Sequence, residues 1–280
     1  MKKEYIRPTD YEQRERPKTR SKQFLDIFRH RFLELLKLSL LQTVFNLPLL
    51  ATIFLFWMLL NNAHTPEAAM MIFLIQGGSM IITLPIVFIG LTGCFYALKK
   101  LAYAEGEFAA SAFFIGMKEE WLRGLVIGLF AGISGGIAVI GAYYFVFTSW
   151  DMNTVVQGFG IAIIVIQLIL VLIFCYYSLS QVVVYKNTFR HLFKNSIIMG
   201  LIKFPINLGL LILYPGGFII LVCIMPYTMY IGIGLMILTC AFGHLVWMLN
   251  CLSAFDKYIN KEQFPDYYRK GLFKEETKEE

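Results

Sequence analysis

His244 is the residue best suited to move a proton near neutral pH, and it is the one histidine inside an apolar stretch, since His30, His64 and His191 lie in polar segments. A lone imidazole among apolar residues is ordinarily a hydrogen-bonded packing group. Metal binding or proton relay would need partner carboxylates or thiolates at fixed spacing, and no Asp or Glu falls inside an apolar stretch. The five cysteines (Cys94, Cys175, Cys223, Cys240 and Cys251) show no CxxC or His-Cys spacing and read as packing or lipid-facing thiols. The HExxH and phosphate-loop patterns are missing. Glu105 and Glu107, which flank Gly106, fit a turn better than a paired acid and base. These residues predict no enzyme, no cofactor and no bound metal.

The remaining polar residues in apolar stretches are amides, hydroxyls and that imidazole. Asn46, Gln76, Thr83, Gln167, Asn207 and His244 could either bond helix to helix or line a polar path. Tyr143, Tyr144 and Trp150 near one boundary, and Tyr176, Tyr177 and Tyr185 near the other, read as interfacial anchors.

The elements that must position them are membrane spans. The chain is 58% hydrophobic and 16% charged, with a mean hydropathy of +0.63, which leaves too little polar surface to coat a water-soluble globule. The expected architecture is an all-α polytopic membrane helix bundle of about six spans. Five spans are Leu38 to Leu60, Met70 to Leu98, Gly124 to Phe147, Val155 to Val184 and Tyr227 to Phe255. The fifth in chain order starts near Lys203 and Pro205. It either continues as a broken helix to Val222 or turns at Tyr214 to Gly217. Residues 1–22 read as a mobile cytoplasmic tail, 23–256 as the membrane domain and 257–280 as a cytoplasmic C-terminal tail.

Charge sets the orientation. Of the 25 Lys and Arg, eleven precede the first span, four lie in the second connection, four in the fourth and six after the last span. The opposite connections carry only Glu67 and Asp151. Both termini are therefore expected in the cytoplasm. The net charge of +6 is explained by this basic edge against anionic lipid, so nucleic acid is not an expected partner and the bilayer is.

Amphipathic segments precede alternate spans: Phe24 to Lys37, Tyr103 to Arg123 and the stretch around Phe193-Lys194. Each would lie along the membrane surface and lead into a pair of spans, which suggests three diverged hairpin repeats. Gly124, Gly128, Gly132 and Gly136 fall every fourth residue along the third span. That bare stripe admits a close helix, either within the chain or from a second copy. Pro48 and Pro85 predict helix kinks, and with Gly90 and Gly93 the second span reads as irregular.

The stretch Asn46 to Pro48, then Thr83-Leu84-Pro85, Gly90, Thr92-Gly93, Ala97-Leu98-Lys99-Lys100-Leu101 and Glu105-Gly106-Glu107, resembles the YesL-like family of bacterial membrane proteins. Phe114, Lys118-Glu119-Glu120-Trp121, Gly124, Phe193, Asn195 and Gly200 fit the helix lead-ins of that family. The resemblance implies a protein of the bacterial inner membrane, associated with carbohydrate uptake, and it supplies no catalytic residues. Two functions are consistent with these residues. One is a non-enzymatic accessory or assembly partner of a carbohydrate uptake transporter, acting by helix contact with a transporter subunit or by self-association. The other is a permease or channel for an uncharged small solute, lined by the polar residues named above.

Overall fold

In hydrocarbon every backbone N–H and C=O must be satisfied by the chain itself, so long apolar runs fold as helices. The computed structural model describes residues 16–106, 108–147, 153–185, 187–216 and 228–273. The helices are α1 Arg20–His30, α2 Phe32–Asn61, α3 Pro66–Ala102, α4 Ala109–Ala142, α5 Thr154–Val184, α6 Phe189–Ile202, α7 Phe204–Leu211 and α8 Thr228–Phe255. No strand occurs among the described residues. Five helices are long and apolar enough to cross a membrane, or six if the bent pair α6–α7 counts as one span. The protein is an all-α, multi-pass membrane bundle. Glu107, Trp150, Asp151, Lys186, Gly217 and Cys223 lie outside the described residues, as do residues 1–15 and 274–280.

α3 and α4 form the most extensive pair in the bundle, and the glycine stripe makes it. A Cβ on Gly128 would sit 2.5 Å from Pro85 Cα, one on Gly132 2.7 Å from Met80 O, and one on Gly136 2.7 Å from Gly77 O. In each case the obstacle is backbone, which cannot swing aside. At Gly124 a Cβ would meet the Thr92 side chain at 2.7 Å and the Phe88 carbonyl at 3.0 Å. Of the two partners expected for the stripe, a helix within the chain, α3, is the one that covers it.

The second span is not irregular. α3 is one continuous helix through Pro85, and α2 continues through Pro48. Gly90 and Gly93 serve contact, seating the Phe45 side chain and the Phe113 carbonyl respectively. The second lead-in is also not a separate surface element, because residues 109–123 run into the glycine-bearing span as α4. The other two lead-ins are distinct helices. Arg31 leaves helical geometry between α1 and α2 (φ −127°, ψ 24°), and α6 meets α7 at 87°.

That bend follows from Pro205, which lacks a backbone donor, and from Lys203, which leaves helical geometry at the corner. Asn207, fully buried, repairs the damage: its Nδ2 donates to the freed Gly200 carbonyl at 3.0 Å. Its Oδ1 accepts from Asn250 Nδ2 at 3.0 Å and from the Tyr177 hydroxyl at 3.3 Å. Helical geometry then ends at Tyr214, which is extended (φ −158°, ψ 120°). Ten helical residues advance about 15 Å, half of a hydrocarbon core of about 30 Å. Regular helix stops at Tyr214, and residues 217–227, which separate the two readings of this stretch, lie outside the described residues.

The termini are not loose where they are described. Arg20 pairs with Asp256 at 2.7 Å, with side chains 8% and 11% exposed. Gln23 donates to the carbonyls of Ala102 and Gly271, and Phe273 N donates to Pro17 O. Residues 16–22 and 257–273 thus pack on the membrane domain, and the boundaries drawn at residues 22 and 257 fall within packed structure.

Candidate ligand cavity

Residues of α2, α3, α5 and α8, with Tyr214, line a half-open cavity of about 240 Å³. Its walls are apolar: Leu49 and Leu50 from α2, Val87, Phe88 and Leu91 from α3, and Leu172 and Leu179 from α5. One side is polar, built from Asn46, Tyr176, Cys240, His244 and the break residue Tyr214. Helical spacing explains the set. Asn46, Leu49 and Leu50 share a face of α2, Cys175, Tyr176 and Leu179 share a face of α5, and Cys240 and His244 are one turn apart on α8.

The polar side is a connected strip. Gln42 Nε2 donates to Asn46 Oδ1 at 3.0 Å and to the Val87 carbonyl at 3.3 Å, fixing the Asn46 amide at the cavity edge. Asn46 and Cys240 line the same cavity. Cys240 Sγ lies 3.2 Å from His244 Nε2 and accepts from the Tyr214 hydroxyl at 3.5 Å. The carbonyl of Tyr214, freed where the helix ends, accepts from Trp247 Nε1 at 3.1 Å. Trp247 stacks on Tyr176, with ring centroids 4.3 Å apart and planes at 5°. Ser39 Oγ accepts from Ala241 N at 2.9 Å and joins α2 to α8 beside the strip. His244 is buried, and its Nδ1 has no hydrogen-bond partner among the described residues.

Of the six residues proposed to line a polar path, the structure brings only Asn46 and His244 to the cavity. Thr83 bonds the Ser79 carbonyl within α3, Gln167 donates to the Ser134 carbonyl on α4 at 3.1 Å, Asn207 repairs the α6–α7 corner, and Gln76 is buried outside the cavity lining. Among the described residues no continuous polar path joins them. Tyr176 and Tyr177 are interior residues rather than interfacial anchors, and Tyr143 is buried with its hydroxyl on the Pro66 carbonyl. Cys94, Cys175, Cys240 and Cys251 are buried and free.

The sequence reading missed Tyr214, Tyr176 and Cys240 as cavity residues, although the Cys240–His244 spacing of one helical turn was visible. It also missed Gly116, two turns before Gly124 in the same register and seated on Tyr96. It also counted GxSxG as absent, whereas Gly132 to Gly136 spells that pattern. A nucleophile elbow requires a strand-to-helix turn, whereas these residues lie inside continuous α4, so the match carries no chemistry.

A second polar cluster lies at the basic end, where α1, the α3–α4 turn, the end of α5 and the segment after α8 meet. Lys100 and Lys270 hold Glu105 at 2.6 and 2.7 Å. Burial alone would raise the Glu105 carboxyl, but the two ammonium groups outweigh it and hold it below its ordinary value. Burial pushes the Tyr103 and Tyr185 phenols well above theirs. Tyr185 donates a short hydrogen bond to Asn260 Oδ1, and Asn260 donates to Asp256 at 2.9 Å. The ion pairs and amides of this cluster hold segments together, while the buried Tyr103 hydroxyl has no hydrogen-bond partner among the described residues. Comparison with family models, curated proteins and solved structures returns no match for the chain.

Proposed function

We propose that the protein is a non-enzymatic permease of the bacterial cytoplasmic membrane that takes an uncharged small solute. The observation that supports this is the cavity beside the helix that breaks at Tyr214. Interrupted helices supply solute sites in membrane transporters, because freed backbone groups and buried polar side chains meet there. The cavity has no ionised group among its lining residues, which suits an uncharged molecule. Its few polar groups suit a carbohydrate poorly, since a sugar would need a partner for each of several hydroxyls. Flux of uncharged solutes into vesicles containing the purified protein tests the reading. Leu179→Trp, which fills the cavity, should abolish the flux; flux unchanged by that substitution would place transport elsewhere.

In this reading the basic end faces the cytoplasm. A single introduced cysteine at Thr65 should react with an impermeant maleimide from outside intact cells, and one at Gly106 should not. The reverse result would invert the topology.

A second reading is an accessory or assembly partner of a carbohydrate uptake transporter, and α2 favours it. Only 6% of its most apolar window is buried, against 22% to 61% in the other spans, and Val44, Leu47, Leu55 and Trp57 are exposed on it. This face, not the glycine stripe, would meet the partner. Mass spectrometry of material copurified in mild detergent tests it: a stoichiometric transporter subunit supports the accessory role, and recovery of the protein alone removes it.

A further inference from the structure

Lys203 stands at the corner where α6 and α7 meet at 87°. A lysine near a membrane boundary ordinarily lays its stem along apolar surface and keeps its head in water. Lys203 is half-buried instead, and its Nζ turns inward onto α8, to the Asn250 carbonyl and to Ser253 Oγ. Both contacts are 3.4 Å long, beyond the usual limit of about 3.2 Å. The ammonium has three hydrogens to give, and neither of these oxygens neutralises its charge.

The charged groups within electrostatic reach of Lys203 are Lys257 and Asp256. Asp256 is already engaged: its carboxylate accepts from Arg20 at 2.7 Å, from Asn260 at 2.9 Å and from the Arg269 backbone at 3.1 Å. Lys257, four residues beyond Ser253, is exposed, with its ammonium 5.1 Å from the centre of the Tyr258 ring. Among the described residues neither Lys203 nor Lys257 forms an ion pair. Lys99, at the same end of the bundle, shows the contrast. It donates to the Val183 carbonyl at 2.7 Å and has Glu105 and Glu119 within reach. The corner thus gathers two positive charges and the Ser253 hydroxyl without a counter-charge, and what it lacks is an anion.

The position of the corner selects the anion. Ser253 lies about 5 Å along the helix axis from Asp256, which marks the basic end through its pair with Arg20. The headgroup zone on each side of the hydrocarbon is about 5 to 7 Å deep, so this is the level of lipid phosphates. Leu201, Ile202 and Ile206 are exposed beside Lys203 and offer apolar surface of the kind that acyl chains cover.

We infer that the α6–α7 corner binds the phosphate of an anionic phospholipid, held by the ammonium groups of Lys203 and Lys257 and by the Ser253 hydroxyl, with an acyl chain along Leu201, Ile202 and Ile206. The inference does not depend on what the cavity takes. A lipid held there joins the bent pair to α8 beside the Asn207–Asn250 contact.

Titration of the full chain in detergent with dioleoylphosphatidylglycerol or dioleoylphosphatidylcholine, read by native mass spectrometry, gives the affinity of the first bound lipid. The wild type should prefer the anionic lipid. Lys203→Met keeps the length of the side chain and removes its charge, and should weaken binding of that lipid about fivefold while leaving the zwitterionic lipid unchanged. Lys203→Arg should retain the preference. Lys257→Met, at an exposed position, carries the same expectation and is read even if Lys203→Met fails to fold. Lys118→Met and Lys194→Met remove exposed charges elsewhere at the basic end and are the controls. Unchanged affinity in the Lys203 and Lys257 variants overturns the inference. So does an equal loss in the controls, which is diffuse attraction to a basic edge. Displacement of the lipid by millimolar inorganic phosphate overturns it as well, because the anion is then a soluble one.

Discussion

Arg20 and Asp256 are 236 positions apart in the chain and 2.7 Å apart in space, and their pairing closes the basic end of the bundle. Asp256 also accepts from Asn260 and from the backbone of Arg269, while Arg20 reaches Gln23 and the Lys270 carbonyl. Breaking such a buried pair leaves a charge without compensation and costs about 3 kcal/mol. Arg20→Ala should therefore lower the unfolding midpoint in detergent and expose the Arg269–Lys270 peptide bond to trypsin under native conditions. An unchanged cleavage rate would mean that the C-terminal segment is held by its aromatic contacts alone.

Gly132→Ala should destabilise the protein by about 2 kcal/mol, the scale of overpacking a closed contact, because the added methyl meets the Met80 carbonyl. Gly78→Ala is the matched control, since nothing lies within 4 Å of a Cβ there. Denaturant titration of the two variants checks the difference, and equal stability would show that α3 and α4 can separate freely.

Glu105 predicts a pH dependence. Its folded carboxyl lies below the ordinary value of 4.5, so its contribution is fully present above that value and is lost as pH falls through the lowered folded value. The pair with Lys270 is partly exposed, which limits the effect to less than about 1 kcal/mol. The stability gap between the wild type and Glu105→Gln, measured from pH 7 to pH 3, should narrow to zero on acidification.

Asn207→Leu removes the donor that satisfies Gly200 O and the acceptor shared by Tyr177 and Asn250. A loss of about 2 kcal/mol is expected for buried groups left unpaired. Faster amide hydrogen exchange should appear around residues 200–207 before it appears in α3 or α4; uniform exchange would show that the corner is held by packing alone.

The helical class, the number of long spans and the clustering of Lys and Arg were legible in the sequence because each is a property of composition over about twenty residues. The glycine stripe was legible for a related reason: a four-residue interval in a helix fixes one face whatever the neighbour is. Its partner was not legible, because nothing in Gly124 to Gly136 distinguishes α3 from a second copy. Pro85 and Pro205 show the same division. Both remove a backbone donor, yet α3 continues as one helix through one while the chain turns 87° near the other. What differs is the surrounding repair, and that depends on Asn207, Asn250 and Tyr177 arriving from three helices.

The sequence alone determined that this chain lives in a bilayer as helices with one basic end, since hydrocarbon imposes that on any chain of its composition. Only the tertiary structure decided that His244, Cys240, Tyr214 and Asn46 share one cavity and that Arg20 meets Asp256. Both contacts join residues far apart in the chain, and helix packing in a membrane is set by side-chain fit between faces rather than by any local pattern.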